Sequence, residues 1–427
     1  MSTRLRRRTR TVTTLAGLAA LAAAGLSSAA LGADAYTATA IPNSIGGFFS
    51  EAYGVNDAGT VVGRMDDADG NVFGFVSMNG GPAVALPVLT DGYDAWPTGV
   101  NAGNVIVGSC RNAAGVSRAV TWRFDTTAGA WTITELPTLR TDNAGLGVAV
   151  RINTAGQIVG YASSDAGGYH ACLWTAGVPA DLGTLSYTGN LAYSQGLGIN
   201  DAGDTCGFAY RVLGGPEHGW VYRAGTRGQE DVTTANGARP LAQWHSINAA
   251  GTLAGYISDT TTAGHFVPAI NEAGVGFTKL PLIAGLEDGY GYDVNDSGVV
   301  VGANFLLNPV PNPNVFAAFK YEAGATVDLN TVTSGLPGIM SEARDVSNTG
   351  LIVGLTDAGV AVLLTPAPVT PPCRADYNGM NGVDLLDIFA FLHDWFAGDV
   401  RADFDGRNGV DLTDIFAFLN AWFAGCP

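Results

Sequence analysis

Val55-Asn56-Asp57-Ala58-Gly59-Thr60-Val61-Val62-Gly63 is the stretch that decides the fold, because the chain writes it seven times. Its pattern is apolar-Asn-x-x-Gly-x-apolar-apolar-Gly. It recurs as Val100-Asn101 to Gly108, which reads as one residue shorter in its turn, and as Ile152-Asn153 to Gly160. Ile199-Asn200 to Gly207, Ile247-Asn248 to Gly255 and Val294-Asn295 to Gly302 follow, and Val346-Ser347 to Gly354 has serine in place of asparagine. In each copy Asn-x-x-Gly predicts a tight hairpin turn with glycine in the left-handed position. The apolar flanks then predict two strands.

A third strand follows most copies, as in Val72-Phe73-Gly74-Phe75-Val76, Arg118 to Trp122, His170 to Trp174, His218 to Tyr222 and Phe316 to Phe319. A weaker fourth includes Asp181-Leu182-Gly183-Thr184-Leu185 and Val327-Asp328-Leu329. Four short antiparallel strands at a period of roughly 48 residues mark a β-propeller blade, so seven copies predict seven blades over residues 35–365. The seventh copy lacks a fourth strand before the prolines. An orphan strand, Ala35 to Ile41, is therefore expected to complete that blade and close the ring. The run His170-Ala171 to Trp174 with Asp181 to Leu185 also resembles the bacterial extracellular repeat named for its His-Ala-Phe signature. That resemblance implies a repeat architecture and no particular activity.

Beyond Pro366 to Pro372, which reads as a stiff extended linker, residues 373–427 say one thing twice. Asp376-Tyr377-Asn378 to Asp387 leads into Ile388-Phe389-Ala390-Phe391-Leu392, and Asp403-Phe404-Asp405 to Asp414 leads into Ile415-Phe416-Ala417-Phe418-Leu419. Oxygen-bearing residues at loop positions 1, 3, 9 and 12 are Asp376, Asn378, Asp384 and Asp387, then Asp403, Asp405, Asp411 and Asp414. Such spacing suits a hard cation with oxygen ligands, and calcium is the expected ion. The apolar runs predict two short helices whose Ile388, Phe389, Leu392, Trp395 and Phe396 meet Ile415, Phe416, Leu419, Trp422 and Phe423 in a small core.

This pair resembles a dockerin, the duplicated EF-hand-like module that plugs a secreted protein into a cohesin partner, in the variant ending Gly425-Cys426. Position 5 departs from the pattern, with Met380 and Arg407, so weak calcium sites are expected; Arg407 is expected to pair with the acids of its own loop. The resemblance implies partner contacts at Leu385, Leu386, Leu412 and Thr413, although their apolar character also fits a place in the core. Cys373 and Cys426 bracket the module, and in an exported chain a clasp between them is the expectation.

Export is read from the start of the chain. Arg4, Arg6, Arg7, Arg8 and Arg10 precede an Ala/Leu stretch from Leu15 to Leu26 and small residues near Ala30. Residues 1–33 therefore predict a signal peptide and a secreted or cell-surface protein. The formal net charge is −17, or −22 without those five arginines, and such a surface repels nucleic acid and anionic membrane. Fifty-nine glycines with 47% hydrophobic and only 14% charged residues fit many short strands rather than disorder. Cys110, Cys172 and Cys206 fall in predicted strands and read as small core residues.

Catalytic motifs are missing. There is no Gly-x-Ser-x-Gly elbow, His-Glu-x-x-His helix or P-loop. His170, His218 and His265 recur near third strands, which points to a repeat role such as bonding the next blade. His245 and His393 stand alone. Acidic loops such as Asp66-Asp67-Ala68-Asp69 and Asp91-Gly92-Tyr93-Asp94 could supply a carboxylate pair for glycosidic cleavage, or simply build turns. The expectation is a non-catalytic binding or scaffold protein, with a polysaccharide hydrolase or lyase as the alternative.

Overall fold

The computed structural model describes residues 35–185, 193–210, 216–226, 228–232, 241–259, 264–307, 314–367, 374–378, 383–407 and 409–425. Residues 1–33, read above as a signal peptide, and Met380, Cys373 and Cys426 lie outside them. The chain is mainly β, a seven-bladed propeller with two C-terminal helices. Blade 1 pairs Gly46–Val55, Thr60–Asp67, Val72–Met78 and Val84–Ala85 in that order, and blades 2 to 6 repeat the meander.

The last blade closes as the orphan strand predicts. Met340–Val346, Ile352–Thr356 and Ala361–Pro366 come from the end of the propeller, and Tyr36–Ile41 pairs antiparallel with Ala361–Pro366. Ile41 faces Ala361 and Tyr36 faces Pro366, so Pro366 ends a strand rather than opening the linker. Thr333–Ser334 adds a short parallel strand outside Tyr36–Ile41.

Seven apolar clusters fill the seven interfaces between neighbouring blades. Ile41, Ala52, Met65 and Phe75 lie in the one that joins the last blade to the first. Burial of this kind contributes about 25 cal/mol per Å² of apolar surface and is the main force holding the blades edge to edge. Cys110, Cys172 and Cys206 are buried in these layers and unbridged.

The motif turn has a defined chemistry. Asn56 Oδ1 accepts from Thr60 N at 2.9 Å and Ala58 N at 3.1 Å, which fixes the loop, and Gly59 sits at φ +76°. The second copy is not shorter: Asn101 Oδ1 accepts from Val105 N at 3.0 Å, and Asn104 takes the left-handed position at φ +56°. Asparagine tolerates that region, so its side chain hides the repeat from a glycine-based reading.

Every blade also carries a β-bulge at the same place in its first strand, between the residues four and two before the motif asparagine or serine. The bulge presses the first strand onto the glycine that ends the motif. A Cβ on Gly63, Gly108, Gly160, Gly207, Gly255, Gly302 or Gly354 would overlap a carbonyl oxygen of that strand. This close approach is why the pattern closes on glycine in all seven copies.

At the C-terminal end, helix α1 spans Leu385–Ala397 and helix α2 spans Leu412–Ala424, each begun by a capping box on Asp384 or Asp411. Phe391 and Phe418 are fully buried and stack at 4.3 Å with planes 8° apart. Trp395 Nε1 donates to Asp411 O at 2.8 Å and Trp422 Nε1 to Asp384 O at 2.9 Å, so each helix clamps the start of the other. Phe389, Phe396, Phe416 and Phe423 point outward, contrary to expectation. The inward stripe is Ile388, Phe391, Leu392 and Trp395, spaced i, i+3, i+4 and i+7, and Phe389 and Phe396 fall one residue off it. No helix among the described residues is long and apolar enough to cross a membrane.

Candidate functional site

The motif residues meet around the propeller axis. Asn56 Nδ2 donates to Asn101 O at 2.9 Å, Asn101 to Asn153 O at 3.1 Å, and Asn153 to Asn200 O at 3.1 Å. Asn200 reaches Asn248 O, Asn248 reaches Asn295 O, and Asn295 reaches Ser347 O, all at 3.0 to 3.1 Å. Ser347 has no amide to pass on. There Asp57 Oδ1 accepts from Asn348 N at 2.7 Å and Thr349 N at 3.2 Å instead. The asparagine is thus both turn former and blade-to-blade staple, and a lone hairpin reading sees only the first role.

Counting back from each motif asparagine or serine sorts the channel into layers. Two residues back stand Gly54, Gly99, Arg151, Gly198, Ser246, Asp293 and Asp345. Arg151 Nη2 lies 2.9 Å from Asp345 and 3.7 Å from Asp293. Asp345 also accepts from Val55 N at 2.7 Å and Asp293 from Val346 N at 2.9 Å. Burial, with Asp293 close by, pushes the Asp345 carboxyl well above its usual range despite Arg151. This charged group crosses the channel and divides it, since Arg151 lines the chambers on both sides.

Three residues back stand Tyr53, Thr98, Val150, Leu197, His245, Tyr292 and Arg344, and all seven line one chamber of about 400 Å³. The bulge turns two consecutive residues of each first strand to the axis, where an unbroken strand would turn one. Five residues back, Glu51, Trp96, Gln195, Gln243, Tyr290 and Glu342 are among those that form the mouth.

The groups there are tightly linked. Tyr53 Oη donates to Glu51 Oε2 at 2.6 Å, and Arg64 Nε donates to the same oxygen at 3.0 Å. Arg344 bridges Glu342 and Glu51, the latter at 3.5 Å, and lies 4.7 Å over the Tyr292 ring. Arg64 lies 4.0 Å over Trp96. His245 stacks with Tyr292 at 5.9 Å and pairs through Nδ1 with Gly291 O at 3.0 Å. Burial, reinforced by Arg344 and Arg151, brings its imidazole down to about 4, so it is neutral at physiological pH. The sequence marked His245 only as a solitary histidine; the signal that would have found it is its register with Tyr53 and Tyr292.

His170, His218 and His265 are bonded to carboxylates of the propeller, and several of the loop acids are bonded as well. His170 pairs with Asp181 at 2.8 Å and His218 with Asp231 at 3.2 Å, both within one blade. Only His265 reaches the next blade, at Asp288, 3.0 Å away. Asp67 accepts from Asn71 N at 2.8 Å and so builds a turn, while Asp66 accepts from Phe49 N at 2.8 Å and Asp94 pairs with Arg111 at 3.2 Å, both across paired strands.

The second candidate site lies in the two C-terminal loops, where the last carboxylate of each makes the same two bonds. Asp387 accepts from Asn378 N at 3.0 Å and Asp384 N at 2.8 Å; Asp414 accepts from Asp405 N at 2.9 Å and Asp411 N at 2.8 Å. Burial works to raise the Asp414 carboxyl, but these N–H groups bring it below the usual range. Asp403, Asp405 and Asp414 offer oxygens within 4.8 Å of one another. Asp376 Oδ1 and Asp403 Oδ1 are buried without a hydrogen-bond partner, at equivalent positions of the two loops. Such an orphaned anionic oxygen is costly unless a cation satisfies it, and the donor set is all oxygen.

Asp384 and Asp411 spend one oxygen each on the helix caps, at 2.7 Å from Leu386 N and Thr413 N. Arg407 is exposed and makes no ion pair among the described residues; only its N–H meets Asp405, at 2.8 Å. Its side chain therefore pairs with none of the loop acids, while Arg374 helps to lower the Asp414 carboxyl. Leu385 and Leu412 are each 64% exposed, and Phe389 and Phe416 each 66%, so both copies present the same apolar patch beside Leu386 and Thr413. None of the four loop-end residues belongs to the core.

Comparison with protein-family models and with curated proteins returns no match. Among solved structures the chain is similar to a puromycin hydrolase, with 13% identity, TM-score 0.49, and 75% of this chain and 53% of that one covered. It thus spans about half the length of that enzyme. A polysaccharide lyase described as an ulvan lyase of family PL25, bound to a GlcA–Rha3S saccharide, matches with 10% identity and TM-score 0.42, covering 78% and 94%. AofleA from Arthrobotrys oligospora matches with 13% identity and TM-score 0.39, covering 68% and 88%. The blade count and closure rest on this chain's own strand pairing.

Proposed function

We propose that this protein is a secreted, non-catalytic binding protein whose propeller displays a ligand site and whose C-terminal module anchors it. In this reading residues 1–33 direct export. Asp376, Asn378, Asp384 and Asp387 hold one calcium ion, and Asp403, Asp405, Asp411 and Asp414 a second. The ion neutralises the clustered carboxylates and ties each loop to the helix that follows. Leu385, Leu386, Leu412 and Thr413, exposed at the helix starts, meet a cohesin-like or cell-surface protein. The observation that carries this reading is the pair of orphaned buried oxygens on Asp376 and Asp403.

Calorimetric titration of calcium into the chelated full chain tests it. One or two saturable sites are expected, lost stepwise in Asp376→Asn and Asp403→Asn. Absence of heat, with an unchanged melting curve in chelator, overturns it. A catalytic reading has one observation in its favour, the carboxylates Glu51 and Glu342 at the channel mouth. Both are held by arginines. Incubation with a polysaccharide panel decides between the two readings, because a binder releases no shorter products.

A further inference from the structure

The chamber between the mouth and the Arg151 crossing is a built pocket. Its walls alternate rings with planar polar groups: Tyr53, Tyr292 and Phe208 beside Gln195, Gln243 and Arg344. Gln195 also lines a second hollow of about 530 Å³, where Trp96, Tyr161 and Tyr169 lie over blades 1 to 3. The shared residue makes chamber and hollow neighbours along one groove. Their sizes are those of ligand sites, and few precisely placed polar groups among aromatic surfaces are what such sites use.

Charge selects the ligand. Arg64 and Arg344 are paired with Glu51 and Glu342, and Arg151 with Asp345 and Asp293. Among the described residues each guanidinium of the chamber already has a carboxylate partner, with only Arg344 Nε left buried without a hydrogen bond, and the chain as a whole carries −17, so a charged ligand finds no unpaired cation there. Ring faces suit the C–H face of a pyranose. Side-chain amides, carboxylates and guanidiniums offer paired donors and acceptors that match neighbouring hydroxyls. The Arg151–Asp293–Asp345 group blocks the axis, so a chain cannot thread through.

We propose that chamber and groove bind the end of an uncharged polysaccharide chain, its terminal sugar in the chamber and the following units along Trp96, Tyr161 and Tyr169. This deepens the reading of the propeller as the ligand-binding half and does not depend on the C-terminal loops.

The test uses the full chain, with tryptophan fluorescence and calorimetry, against xylohexaose, cellohexaose and mannohexaose as neutral probes and hexagalacturonate as the charged one. Saturable binding of at least one neutral hexasaccharide, with none of hexagalacturonate, is expected. Trp96→Ala, a half-exposed groove position, should weaken it roughly tenfold, and Leu197→Trp should block the chamber, both with unchanged melting temperature. Long soluble polymer of the same repeat should bind less per unit mass than the hexasaccharide. Binding of hexagalacturonate alone overturns the uncharged class, and equal binding per mass overturns the chain end. Failure of every sugar overturns the proposal while leaving the calcium titration to judge the anchor.

Discussion

Asn295 Nδ2 donates to the main-chain carbonyl of Ser347 at 3.0 Å, and with that bond the relay of side-chain amides around the axis ends. Ser347 Oγ still accepts from Leu351 N at 3.1 Å, so it shapes its own turn but sends nothing to the first blade. The ring is therefore an open chain of six staples, and the step from last blade to first is made by other bonds, Asp57 to Asn348 N, Asp345 to Val55 N and Ser50 to Ala361 N, with the Tyr36–Ile41 strand completing the last blade.

Breaking one staple in the middle should be costly. Asn200→Ala removes the bond to Asn248 O and the acceptance from Asp204 N, both at a buried residue. A loss of roughly 2 kcal/mol is expected, since the orphaned groups stay buried. Urea denaturation of the variant measures it, and a change below about 0.5 kcal/mol would remove the stapling role.

Deletion of residues 35–42 strips the seventh blade of its outer partner and exposes the edge of Ala361–Pro366. The melting temperature should fall by roughly 10 °C or more, a loss of several kcal/mol. An unchanged melt would reject closure by this strand.

Gly207→Ala places a methyl group against the Gln195 carbonyl oxygen at the bulge. The strands must part to admit it, at about 3 kcal/mol. Stability of the purified variant checks this, and Gly103→Ala, where the backbone is likewise not left-handed and an added Cβ meets nothing closer than 3.4 Å, serves as the control.

Leu385→Lys with Leu412→Lys should leave the fold within about 0.5 kcal/mol of the parent, because both side chains face solvent. Loss of partner capture with an intact helix signal is the expected outcome. Unfolding would place these residues in the core after all.

Acid should loosen blade 3 at its Asp181 link. Burial acts to raise that carboxyl, but His170 at 2.8 Å and Gly183 N–H at 2.7 Å outweigh it and hold it low. A depressed folded value means the contribution is complete above the unfolded value of about 3.9 and fades as pH falls through the folded one. Asp181→Asn should flatten that part of the stability–pH curve, which denaturation at stepped pH between neutrality and acid would reveal.

Much of this was legible without coordinates. Turn chemistry is local, so Asn56, Gly59 and Gly63 announce a blade wherever they recur, and counting them counts blades. Closure follows from one missing strand and one spare strand. Loop acids at fixed spacing likewise announce two matched loops, because an Asp at a helix start and an Asp three residues on form a box within one turn.

What only the tertiary structure decided depends on contacts between distant segments. The bulge before each motif turns Tyr53, His245, Tyr292 and Arg344 to the axis together with Arg151, Asp293 and Asp345. An alternating pattern assigns those pairs to opposite faces, so periodicity conceals the chamber. The asparagine staples are equally invisible, since each partner lies a whole blade away. In the helical pair, Phe389 and Phe391 differ by two residues, and the stripe that packs on the other helix includes Phe391 and leaves Phe389 in solvent. Local bonding repeats along the chain and can be read from it; a channel exists only when seven blades meet around one axis.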